Sequence, residues 1–155
     1  MSKRWVGVVV SSDKVVIVDA EVPDAEALQI QMDTTWPLQD GDRSRAYVVM
    51  ADRLESYLRE NKIEKVAVKA SALSMGSTKM GHLEACELRG VVMCAASRVA
   101  KVELIAKAHT SKTFGKRKVD EYLKDDGFWA DEVTGKLRSG SREAGMALLA
   151  LRKRL

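Results

Sequence analysis

Residues 66–90 read VAVKASALSMGSTKMGHLEACELRG. The stretch opens on a continuous apolar run, Val66 to Val68, of the kind that lies inside a sheet with both faces covered. It closes on a helical pattern from His82 to Ala100, with Leu83, Cys86, Leu88, Val91, Val92 and Ala95 as the expected apolar stripe. A strand covered on both faces needs helices on both sides of its sheet, so this segment argues for an α/β domain with helical crossovers. Lys69 is the unexpected residue, a cation at the end of a buried strand.

Working outward, RWVGVVV and KVVIVDAEV are β-branched runs joined by SSD, which reads as a hairpin. ALQIQMDTTW alternates apolar and polar residues as a third, half-exposed strand. Ser44 to Asn61 then switches to helical period through Tyr47, Val48, Met50, Ala51, Leu54, Tyr57 and Leu58. After the 66–90 segment, Lys101 to Ala108 predicts a fifth strand, HTSKTFGK an exit loop, and Arg117 to Leu123 a short helix. DDGFWADEVTGKLRSGS reads as irregular, with Phe128 and Trp129 either an exposed anchor for a partner or a plug at the sheet edge. Ser141 is expected to cap a last helix carrying Glu143 in its first turn and Arg152 to Arg154 in its last, the charge order that suits the helix dipole. The order βββ-α-β-α-β-α predicts a mixed five-stranded sheet with helices packed on it, as a single domain over residues 1–155.

Composition agrees. A hydrophobic fraction of 46% in 155 residues is enough for a core, and 31% charged residues of both signs make a polar surface. No apolar run nears the roughly 18 residues of a membrane span. The run Trp5 to Val10 is short, meets Asp13, and reads as a strand rather than a leader. Cys86 and Cys94 fall about 12 Å apart along one helix, too far for a disulfide. They are expected as reduced core residues, which suits a cytoplasmic protein. With only His82 and His109 beside them, no zinc site is expected.

The net charge of +4 permits a polyanionic partner without demanding one. Its distribution says more. KAHTSKTFGKRK contains Lys107, Lys112, Lys116, Arg117 and Lys118 and no acid. With Phe114 and His109 it could grip a phosphate backbone and stack a base, or it could be a solvated loop.

The segment LEACELRGVVMCAASRVAKVELIAKAHTSKTFGK resembles the central part of RuvC-type resolvases of the RNase H-like superfamily. The matching features are the step Arg89, Gly90, Val91 on a helix, the strand Val102 to Ala106, and the lysine-bearing segment Lys112 to Lys116. IEKVAVKASALSMGSTKMGHLEA also resembles a family of small bacterial RuvC-like proteins that carry a lysine at the end of this strand. The resemblance implies an RNase H-like fold and, in active members, two metal ions on about four carboxylates. Carried over position by position, the first acid falls on Val9, the second on Lys69, and the last two on Gly140 or Ser141 and on Glu143. One acid of four remains, so the resemblance implies a degenerate metal site. No cofactor is expected, with Mg²⁺ or Mn²⁺ reserved for the alternative of a nuclease with relocated acids.

Lys69 then has three readings: an ion pair with Glu143 or Glu84, a phosphate contact, or a catalytic lysine. Gly76, Gly81, Ser71, Ser74, Ser77 and Thr78, with Lys69 and Lys79, form either an anion-binding loop or a plain connection. GSTKMG lacks the Walker spacing. His82, Glu84 and Glu87 are either a residual acid site with Glu143 or a solvated helix start. Asp13 and Asp19 are a weaker displaced pair. The leading expectation is a noncatalytic DNA- or RNA-binding protein using Lys69, Lys79, Lys107, Lys112, Lys116, Arg117 and Lys118. A protein–protein adaptor or homodimer and a metal-dependent nuclease stand as alternatives.

Overall fold

The structure, a computed structural model, describes residues 3–70 and 79–154. It begins with three antiparallel strands, β1 (Lys3–Val10), β2 (Lys14–Val22) and β3 (Leu28–Pro37). The β1–β2 turn is closed by Ser11 N–H donating to the Lys14 carbonyl at 2.9 Å. Helix α1 (Arg43–Glu60) follows, capped by the Asp42 carboxylate accepting from Ser44 N–H. Then come β4 (Lys65–Lys69), α2 (Met80–Ser97) and β5 (Lys101–Ile105). Both β4 and β5 are parallel to β1, so the sheet is mixed, in the order β5-β4-β1-β2-β3. The chain ends in α3 (Lys107–Phe114), α4 (Val119–Leu123), α5 (Asp126–Glu132), a two-residue strand β6 (Val133–Thr134) and α6 (Arg142–Lys153).

Side-chain alternation divides the core into two layers. Val6, Val8, Ile17, Val66 and Val68 face α1 and α2. Trp5, Val18, Ala67 and Ile105 face α6 and the small helices around it. Val66, Ala67 and Val68 are fully buried, as expected of a strand covered on both faces. Helix α6 is the central helix of the second layer, with every residue from Ala144 to Leu151 buried. Two glycines allow its close packing. A Cβ at Gly7 would lie 2.4 Å from the Ala144 carbonyl oxygen, and one at Gly145 would lie 2.9 Å from the Trp129 ring.

Several expectations are corrected. The sheet has a sixth strand, because β6 pairs in parallel with the start of β3. The expected exit loop is mostly helix α3, ended by Gly115 at φ 61°, the left-handed position that glycine fills at a helix end. The segment expected to be irregular contains α5, where Asp125 accepts from Phe128 N–H at 3.1 Å. Trp129 is buried and its indole N–H donates to the Tyr122 carbonyl at 2.9 Å, so it is a plug. Cys86 and Cys94 are exposed, not core. Helix α2 buries only the narrow stripe Leu88, Val92, Ala95 and Ala96, and each cysteine lies roughly 140° around the helix from the centre of that stripe. Leu83 is exposed for the same reason. Ser141 is buried, but its hydroxyl donates to Asp33 instead of capping α6.

Candidate functional site

The parallel pairing of β1 with β4 runs to Val8 opposite Val68. Val9 and Lys69 are the next residues on the two neighbouring strands, and both belong to the face covered by α6. The close approach at Gly7 brings the first turn of α6 over these strand ends. Glu143, in that turn, meets Lys69 with Nζ–Oε2 at 2.9 Å. Both side chains are about 40% exposed (41% and 42%). Beside them lies a cleft of about 70 Å³, bordered by Lys69, Lys107, Thr110, Asp120 and Glu143 over an apolar floor that includes Ile105 and Met146.

Three of the four positions where the resemblance calls for acids therefore converge in space, but their chemistry is changed. Val9 has no donor atom, and the Lys69 ammonium sits on Glu143. A hard divalent cation needs several oxygen ligands in one place, and here only Glu143 and Asp120 border the cleft. Among the described residues no group of three or more His, Cys, Asp or Glu side chains could hold a metal ion. The residues present do not fit a two-metal centre.

The start of α6 is anchored from β3. Arg138 donates to Asp33 through its backbone N–H (2.7 Å) and its guanidinium (2.9 Å), and Ser141 adds its hydroxyl. Burial pushes the Asp33 carboxyl up, but these bonds outweigh it and hold its pKa below the ordinary carboxylate value. A second network lies under α1. Asp19, fully buried, accepts two bonds from Arg4 at 3.0 and 2.8 Å and one from the Tyr57 hydroxyl. Burial and the neighbouring carboxylate push the Tyr57 phenol up. Asp13 stays in the β1–β2 turn, so the two aspartates form no pair.

The other acids are not brought to Glu143. Glu84 pairs with Arg43 at 3.1 Å and Glu87 accepts from the Tyr47 hydroxyl at 3.0 Å, both on the α1 side of the sheet. His82 is exposed and turned to the backbone N–H of Lys79, the residue that precedes α2. Lys79 is not among the residues that border the cleft beside Lys69. Ser71, Ser74, Gly76, Ser77 and Thr78 lie outside the described residues.

The basic segment is built on α3 and the turn into α4. Lys107, Lys112, Lys116, Arg117 and Lys118 are all exposed. Arg117 is engaged, pairing with Asp125 at 2.8 Å and lying 4.3 Å over the Tyr122 ring. The ammonium groups of Lys107, Lys112, Lys116 and Lys118 have no acidic partner among the described residues. At the other end of the chain, Arg152 pairs with Glu132 and Arg154 with Glu103, while Lys153 lies 5.0 Å over the Phe114 ring. Asp120 was not foreseen in the sequence. Its place in a short helix is legible there, but its place beside Glu143 comes from the docking of α4 against α6.

No protein-family model matches the sequence, and a search of curated proteins finds no match. Solved structures do match. T. thermophilus RuvC in complex with Holliday junction substrate aligns at a TM-score of 0.69 and 14% identity, covering 96% of this chain and 91% of that one. A second Thermus thermophilus RuvC structure gives 0.68 and 14%, covering 96% and 92%. The yeast mitochondrial Holliday junction resolvase Ydc2 gives 0.58 and 9%, covering 98% and 80%. The strand order and these alignments establish a RuvC-like, RNase H-like fold. No helix among the described residues is long and apolar enough to cross a membrane.

Proposed function

We propose that the chain is a noncatalytic RuvC-like nucleic-acid-binding protein. The observation that carries this reading is the cluster of unpaired lysines on α3 and the α3–α4 turn, beside a cleft in which Lys69 is paired with Glu143. Unpaired ammonium groups on one segment release condensed counterions when they meet phosphates, which favours binding to a polyanion. A fold shared with a protein held on a Holliday junction makes DNA the first ligand to test. Lys69 completes the reading, since an ion pair supplies neither a metal-bound water nor a free base.

The test is anisotropy with labelled duplex and four-way-junction DNA, comparing wild type with a variant carrying Lys107, Lys112, Lys116 and Lys118 as Ala. Wild type is expected to bind at micromolar concentration or tighter near 0.1 M salt, about the strength of nonspecific protein–DNA contacts or better. The variant is expected to lose that binding. Absence of wild-type binding under these conditions overturns the reading.

A second reading, an adaptor or homodimer, rests on the outer face of α1 and α2. Val48 is exposed there and lines a hollow with Tyr47, Ala51 and Val91, and Leu83 is exposed on α2. Sedimentation across a concentration series tests self-association.

A further inference from the structure

Resting on the nucleic-acid reading, we infer that the basic segment reads the phosphate backbone of duplex DNA alone, without stacking on bases or reading their edges. Lys107, Lys116, Arg117 and Lys118 border one hollow on the surface of α3 and α4, with Ser111 on the same wall. Lys112 stands exposed on the adjoining turn of α3. Asp120 and Glu121 also border the hollow, and Glu121 accepts from the Lys118 backbone N–H at 3.2 Å. Cations outnumber acids there.

The aromatic side chains that could stack a base are turned away. Phe114 packs against Tyr122 and Phe128, with ring centroids 5.4 and 6.0 Å apart, and Lys153 covers its ring. Tyr122 is buried, and so are all three tryptophans, Trp5, Trp36 and Trp129. Single-strand binders gain about 1–3 kcal/mol per base from stacking on exposed aromatics, and this surface offers none. Base edges are read most selectively by side chains that make paired hydrogen bonds, Arg, Asn and Gln among them, and a lysine reads one only when its ammonium is held over guanine O6 and N7. The one Arg, Asn or Gln in the segment, Arg117, is already held by Asp125 and Tyr122. What remains is four exposed lysines, point charges on flexible stems that suit phosphate and are not held in the fixed geometry a base edge requires. Duplex DNA, with its denser charge, is the polyanion that rewards such a surface most.

Four measurements test this: affinity for two duplexes of equal length and unrelated sequence, for one of their single strands, and for that strand with abasic sites in place of its bases. The two duplexes are expected to bind within about twofold of each other and more tightly than the single strand. Removing the bases is expected to leave single-strand affinity within about twofold. Four phosphate contacts predict a slope of log K against log salt of about −3.6 on duplex, a loss of roughly 150-fold between 50 and 200 mM salt. A single strand preferred over duplex, a tenfold loss with abasic sites, or a tenfold difference between the duplexes overturns the inference while leaving the nucleic-acid reading in place. No binding to any of the four overturns both.

Discussion

Lys69 at the end of β4 and Glu143 in the first turn of α6 are 74 residues apart in sequence and 2.9 Å apart in space. The pair closes the position where neighbouring strand ends and a helix start converge. Because both side chains are about 40% exposed (41% and 42%), solvent screens the attraction. We expect Lys69→Met to cost no more than about 1 kcal/mol, the usual range for an exposed pair. Urea unfolding measures this, and a loss of several kcal/mol would show that the lysine is a structural keystone.

The same convergence makes a constructive test. Replacing Val9 with Asp and Lys69 with Glu would place two carboxylates beside Glu143. We expect this double variant, and not wild type, to gain thermal stability on addition of millimolar Mn²⁺, because a ligand bound only by the folded state raises its stability. Equal responses of the two proteins would show that the three positions do not form one cation site.

Asp19 tests the other layer. It is fully buried and its charge is met by Arg4 and Tyr57. Arg4→Met would leave the carboxylate without its cation, and breaking a buried pair in this way costs about 3–5 kcal/mol. Chemical denaturation of the variant checks this, and a cost below about 1 kcal/mol would show that Tyr57 alone suffices.

Gly7→Ala places a methyl group where the Ala144 carbonyl already lies. Helix α6 must move off β1, and overpacking of this kind costs about 1–3 kcal/mol. We expect a lowered melting temperature. An unchanged one would mean that the helix shifts freely and does not hold Glu143 in place.

Asp33 gives the acid dependence. Its carboxyl titrates lower in the folded chain than its ordinary value. The stability it contributes is therefore complete above an unfolded value near about pH 4, and it disappears as pH falls through the lower folded value. Thermal unfolding from pH 7 to pH 2 should show wild type more stable than Asp33→Asn at neutral pH, with the two curves approaching each other in acid. Parallel curves would mean that Asp33 carries none of the acid sensitivity.

Much of the fold was legible because it rests on local periodicity. VAVK could only be a covered strand, and REAGMALLALRKRL carries its own dipole and apolar pattern. The helix α3 was missed because its apolar signal is weak. KAHTSKTF holds few large apolar residues, and its helical state depends on Gly115 and on packing against α6. The charges on the apolar strands did carry a signal. Asp19 interrupts the β-branched run of β2 and Arg4 stands just before that of β1, and a charge buried with such a run survives only when paired.

The sequence by itself determined the order of the first five strands, the two long helices between them and the last helix, the lysine at the end of β4 and the acid-free basic segment, because these follow from residue type and spacing along the chain. The tertiary structure alone decided that Lys69 meets Glu143, that Glu84 and Glu87 are committed to α1, that the cysteines face solvent, and that the aromatics beside the lysines turn inward. Those outcomes depend on how helices dock against the sheet, and docking is set by contacts between residues far apart in the chain, such as Gly7 with Ala144 and Asp33 with Ser141, which no local pattern records.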